Sequence, residues 1–259
     1  RRLGAPLRAP PDSRSPGKGL MHTTDDEHSW LQPTPLDLTV VLPATHGDPG
    51  RIASRETAAR LHGTIHLPEA ATGIVVLVAA AESGTQARHG DLAGHLWRSR
   101  IATVDIDLLA PEAARFADAA THLPVLTERL LAVIGQLARM MESDALPALP
   151  IGLFAVGDAT PVAVRAAAVR DQAVAAVACV GGLVDLAGLQ YLRELRAPLL
   201  MLAGPDDAAA SANLARARPH IPGHAETQAL PETGAAEVIA TIATAWFREH
   251  FTPVVRPRT

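Results

Sequence analysis

An alternation of strand-length apolar runs with longer helical patterns is the feature that most constrains this chain, and it extends from about residue 36 to residue 250. Runs such as GIVVLVAA (73–80), IGLFAV (151–156) and VAAVACV (174–180) are apolar almost throughout, as expected of strands covered on both faces. Strands that alternate with helices in this way form parallel sheets. The sequence therefore predicts an α/β fold in which a mostly parallel sheet of about eight strands carries helices on both faces.

The individual elements follow from the period of the apolar residues. Strands are predicted at 36–43, 59–68, 73–80, 101–109, 151–156, 174–180, 197–204 and 225–231, and helices at about 87–99, 123–142, 159–170, 208–218 and 234–250. The helix at 123–142 carries a single apolar stripe at helical spacing, made of Leu126, Leu130, Val133, Ile134, Leu137 and Met141. We expect this stripe to pack on the sheet as core.

The ends of the chain differ from this pattern. Residues 1–20 are rich in Arg, Pro, Gly and Ser and have no hydrophobic period, which is typical of disorder, and Met21 is a candidate translation start. We therefore predict a disordered tail over 1–34, one domain over 35–252 and a short tail over 253–259. A length of 259 residues with 48% apolar residues suits a single large core.

Composition excludes several classes of function. A net charge of −4 without a basic stripe is unlike a nucleic-acid-binding protein, and no segment approaches the roughly 18 apolar residues of a membrane span. The single cysteine, Cys179, lies in an apolar run and is expected to be a buried strand residue. It allows no internal disulfide and no cysteine-rich zinc site. We expect a soluble, cytoplasmic protein that needs neither a cofactor nor a metal.

Polar segments follow four of the predicted strands. They read AAESGTQARHGD, GDATP, GPDDAAA and PETG, in chain order. In open α/β sheets, ligands bind beyond the carboxyl ends of the strands. These four segments are therefore the expected walls of a binding site.

Together with GTIHLPEAATGIVVLV, RHGDLAGHL and AAEVIATIATAWFREHF, these segments resemble α/β-hydrolases of the dienelactone-hydrolase-like group over roughly residues 59–251. The resemblance implies an α/β-hydrolase fold with a nucleophile elbow, an acid and a histidine. It places Gly157 of GLFAVGDATPVAV at the nucleophile position and matches Asp206 of GPDD to the acid. The oxyanion loop corresponds to Glu82, Ser83 and Gly84.

The chain departs from the family pattern at the catalytic positions. The elbow turn holds no Ser or Cys, and the loop LPETG before the last helix holds no His. His220 and His224 lie on the wrong side of the last strand, where a solvated loop is expected. The sequence thus predicts a protein that has lost serine-hydrolase activity and serves as a scaffold for a small ester-like ligand or for a protein.

Two other interpretations stay open. The chain could be an active, divergent carboxylic-ester hydrolase whose catalytic residues the sequence does not identify. It could also be a hydrolase that uses Asp158 as its nucleophile, an arrangement that resembles haloalkane dehalogenases and epoxide hydrolases. The same residue also suits the N-terminus of the following helix, as Asp207 suits the next one. Alternatively the chain is an interaction subunit of a complex, and a homodimer is compatible with the sequence.

Overall fold

The structure is a computed structural model. It describes residues 33–42, 60–79, 85–109, 122–205, 207–233 and 235–251, and only the backbone of residues 79 and 85–90. The predicted N-terminal tail lies almost wholly outside the described residues, and the C-terminal tail lies wholly outside them. All described residues belong to one compact unit, Leu31–Thr259.

Eight strands of the described residues form one sheet. They are β1 (Thr34–Val41), β2 (Arg60–Leu67), β3 (Gly73–Ala79), β4 (Ile101–Asp107), β5 (Ile151–Val156), β6 (Val174–Val180), β7 (Leu199–Ala203) and β8 (Ala225–Ala229). Their spatial order is β1-β2-β4-β3-β5-β6-β7-β8. Strand β2 pairs antiparallel with both β1 and β4, and every other pair is parallel. The predicted mostly parallel sheet is confirmed.

Six α-helices are found in the described part of the chain. They are α1 (Thr85–Arg98), α2 (Leu123–Glu142), α3 (Thr160–Val169), α4 (Leu189–Glu194), α5 (Ala208–Ala217) and α6 (Ala235–His250). The predicted bounds agree with these elements to within two residues at each end. The short helix α4 was not among the predicted elements, because six residues are too few to display a helical period.

The two faces of the sheet carry separate cores. The larger includes the buried sides of α2 and α3, and all six residues of the predicted apolar stripe of α2 are buried in it. The smaller lies under α1 and α6 and includes Phe154, Trp246 and Phe247. Helix α6 is fixed to the sheet by a hydrogen bond in which Trp246 Nε1 donates to the Val177 carbonyl at 3.1 Å. Helices therefore cover both faces, as predicted.

Cys179 is fully buried in β6, as predicted. Burial raises the pKa of its thiol to about 12, and a hydrogen bond with Thr160 opposes that shift. This thiol is a packing residue rather than a nucleophile at neutral pH.

None of the helices in the described ranges has both the length and the apolar character needed to cross a membrane.

Candidate ligand-binding site

The turn after β5 has the geometry of a nucleophile elbow. Val156 is extended, with φ −127° and ψ 131°, and Gly157 follows with a left-handed φ of +57°. A single 3₁₀ turn over Gly157–Ala159 then leads directly into α3, which has Pro161 in its first turn. A strand that passes through one left-handed residue into a helix makes a sharp turn and presents that residue above the sheet edge. Here that residue is a glycine.

Packing against the loop after β6 supports the elbow. Gly181 and Gly182 both have left-handed φ, +64° and +84°. A Cβ on Gly182 would overlap the Gly157 carbonyl oxygen and would lie 2.8 Å from Thr160 Oγ1. Thr160 Oγ1 in turn donates to the Gly181 carbonyl at 2.9 Å. The elbow backbone is thus held in place without any side chain at residue 157.

Gly157 is free of crowding. Apart from Val156, Gly157 itself and Asp158, no described residue has an atom within 4 Å of a Cβ placed on it. The left-handed φ favours glycine, because L-residues with a Cβ adopt it at a cost. The backbone shape of an elbow is therefore present, with room for a side chain that the sequence does not provide.

A cavity of about 650 Å³ opens at the carboxyl ends of β5, β6 and β7, beside the start of α6. Most of its lining is apolar or glycine. The described lining residues are Phe154, Val156, Gly157, Val180, Gly181, Gly182, Gly204, Pro205, Asp207, Leu230, Ala235, Ala236 and Ile239. The cavity lies where the sequence predicted a binding site, and its volume is that of a small-molecule pocket.

Asp207 is the one ionisable residue of the described lining. It is the N-cap of α5, and its Oδ1 accepts a hydrogen bond from the Ala210 backbone N–H at 3.0 Å. A Cβ on Gly181 would lie 2.9 Å from the other oxygen, Oδ2, so this oxygen is close to the glycine loop of the lining. One oxygen therefore caps the helix, and the other lies beside the glycine loop with no hydrogen bond to it among the described residues.

The other predicted site residues either do not line the cavity or lie outside the residues that the structure describes. Asp158 is exposed and is not among the lining residues. Asp206, which the resemblance matched to the acid, lies outside the described residues, as do Glu82, Ser83 and Gly84. The structure brings together Gly157 and Asp207, and the sequence had treated Asp207 only as a helix cap. The motif GPDD contains both aspartates, and it carries no signal that Asp207 lines the cavity.

No described histidine side chain lines the cavity. His224 is exposed in the loop before β8, where it stacks on Trp246 with ring centroids 5.9 Å apart and lies 3.6 Å from Glu226. His220 is exposed at the end of a 3₁₀ turn. Within the described ranges, no group of three or more His, Cys, Asp or Glu residues could hold a metal ion.

Comparison with known proteins places this arrangement in a recognised fold. No protein-family profile matches the chain, and no curated protein does either. Among solved structures, dienelactone hydrolase from Anabaena variabilis is similar, with a TM-score of 0.72 and 25% identity; the match covers 85% of this chain and 100% of that chain.

More distant solved structures share the fold alone. Est1E from Butyrivibrio proteoclasticus matches with a TM-score of 0.59 and 11% identity over 74% of this chain and 94% of that one. A fungal esterase from Rhizomucor miehei matches with a TM-score of 0.60 and 12% identity over 85% of each chain. The chain therefore has the α/β-hydrolase fold, and its structure is similar to that of dienelactone hydrolase.

Proposed function

We propose that this protein binds a small, mainly apolar ligand in the cavity beside Gly157 and does not catalyse serine-type ester hydrolysis. The observation that carries the proposal is the elbow itself. Its left-handed turn and its supporting glycine loop are intact, and the residue at its apex has no side chain.

Acyl transfer by a serine hydrolase needs a nucleophile and a base that takes its proton. In a serine protease, loss of either one costs about 10⁶ in turnover, loss of both costs little more, and about 10³ to 10⁴ over water remains. Gly157 supplies no nucleophile, and no described histidine lines the cavity. The expected turnover is therefore about 10⁶-fold below that of a serine hydrolase.

The lining indicates what kind of ligand fits. Phe154, Val156, Val180, Leu230 and Ile239 present apolar surface to the cavity. Covering such surface is favourable by about 25 cal/mol for each Å² removed from water. A small ester-like molecule with an apolar body suits this lining, and the esterases that share the fold are consistent with such a ligand.

A second candidate function is ester hydrolysis by groups other than a serine and a histidine. Two observations favour it: Asp207 lines the cavity, and the solved structures that share the fold include dienelactone hydrolase and esterases. Asp158 is the other carboxylate near the elbow, since it follows Gly157 directly. In this alternative one of the two carboxylates would attack the substrate or activate water.

Hydrolysis of short p-nitrophenyl esters distinguishes the two functions. The purified protein is compared with Gly157→Ser, Asp158→Ala and Asp207→Asn, with Asp185→Asn as a control for an acidic residue outside the cavity lining. We expect none of these proteins to reach the turnover of a serine hydrolase, because the unmodified chain supplies no nucleophile at the elbow and Gly157→Ser supplies one without a described histidine to take its proton. Robust turnover by the unmodified protein that Asp158→Ala or Asp207→Asn abolishes, and that Asp185→Asn leaves intact, would establish the second function instead.

A further inference from the structure

We infer that the cavity selects a cationic ligand, an apolar amine, and that Asp207 is the residue that holds its ammonium group. This inference rests on the proposed binding function and adds the chemical class of the ligand. It depends on the charge distribution of the cavity rather than on its shape.

The described lining contains one carboxylate and no Lys, Arg or His. Among the described residues, no ion pair to Asp207 is found. Asp207 is therefore the one side-chain charge that the described lining presents to a ligand, and a carboxylate in an otherwise apolar lining attracts a cation more strongly than a neutral group.

The geometry of Asp207 leaves one oxygen to a ligand. Oδ1 accepts from the Ala210 N–H, and Oδ2 lies beside Gly181 at the cavity wall. A ligand that fills the cavity removes water from Oδ2, and a carboxylate oxygen buried without a donor is unfavourable. An ammonium group restores the lost hydrogen bond and pairs the charge.

Neutral and anionic ligands of the same shape bind less well for separate reasons. An alcohol donates one hydrogen bond but leaves the charge of Asp207 unpaired. A carboxylate places a second negative charge close to the first and donates nothing. We expect the amine to bind about tenfold to a hundredfold more tightly than the alcohol, which is the usual gain of a charged hydrogen bond.

Calorimetric titration with phenylbutylamine, phenylbutanol and phenylbutyrate tests the inference on the full chain. Asp207→Asn removes the charge and keeps the cap of α5, because asparagine and aspartate are equally good N-caps. Asp185→Asn is the control, since it removes one acidic group that does not line the cavity. We expect the preference for the amine over the alcohol to vanish in Asp207→Asn and to remain in Asp185→Asn.

The outcomes separate the inference from the function on which it rests. If the amine and the alcohol bind equally well, or if phenylbutyrate binds as tightly as the amine, the inference is wrong and ligand binding stands. An amine preference that survives in Asp207→Asn also contradicts it, because the charge then lies elsewhere. If none of the three compounds binds, both the inference and the proposed function fail.

Discussion

Three glycine-to-alanine substitutions are expected to lower the free energy of unfolding by very different amounts, because the glycine loop after β6 packs against the elbow. Gly157→Ala introduces a Cβ at a φ of +57° with no atom of a described residue other than its chain neighbours within 4 Å. Gly182→Ala introduces one at +84° that overlaps the Gly157 carbonyl and crowds Thr160 Oγ1. Gly204→Ala is the control, because Gly204 also lines the cavity but has neither a left-handed φ nor a close contact.

The magnitudes follow from conformation and overlap. A left-handed alanine costs about 1 to 2 kcal/mol, and the reduced entropy of the unfolded chain returns about 0.4 to 1 kcal/mol. Gly157→Ala is therefore expected to lower the free energy of unfolding by about 1 kcal/mol. Gly182→Ala adds overpacking of about 1 to 3 kcal/mol, for a total near 3 kcal/mol. Gly204→Ala should change the free energy of unfolding by about 0.5 kcal/mol or less.

Urea unfolding followed by far-ultraviolet circular dichroism measures all three. The expected order of stability is Gly204→Ala, then Gly157→Ala, then Gly182→Ala, with unchanged denaturant slopes. Equal losses for Gly157→Ala and Gly182→Ala would refute the reasoning, because residue 157 would then be as crowded as residue 182.

Three further predictions concern the rest of the domain. Because the pKa of Cys179 is raised from 9.0 to about 12 by folding, the unfolded chain loses the thiol proton first. The free energy of unfolding should thus fall as the pH rises above about 9, relative to Cys179→Ala, and the two should run parallel below that pH. Trp246→Phe removes the hydrogen bond to the Val177 carbonyl and should lower the free energy of unfolding by about 1 kcal/mol in urea unfolding; no measurable change would contradict this estimate. His95 and Glu237 join α1 to α6 at 3.2 Å, but Glu237 is 71% exposed. A double-mutant cycle should therefore give a coupling of about 0.5 kcal/mol or less, and a coupling above about 1 kcal/mol would contradict this assignment.

The fold could be predicted from the sequence because the spacing of apolar residues within each strand and helix is a local property of the chain. Strands β5 and β6 are apolar throughout, as buried parallel strands require, and the stripe of α2 repeats at helical spacing. Each of these patterns is set by neighbours along the chain and needs no knowledge of the tertiary structure.

The site was predicted less completely, because it depends on contacts between distant segments. That Gly182 supports the turn at Gly157 follows only once β5 and β6 lie side by side. That Asp207 both caps α5 and lies in the cavity lining depends on the geometry of the turn after β7, which the two adjacent aspartates of GPDD do not reveal.

The most direct test of the central claim follows one ester through binding and recovery. Phenylbutyl acetate is titrated into the protein in a calorimeter, and the contents of the cell are then separated by chromatography. Saturable binding at one site with the ester recovered intact is the expected result, because the cavity holds the ligand and no nucleophile attacks it. Release of phenylbutanol and acetate faster than in buffer would contradict the claim.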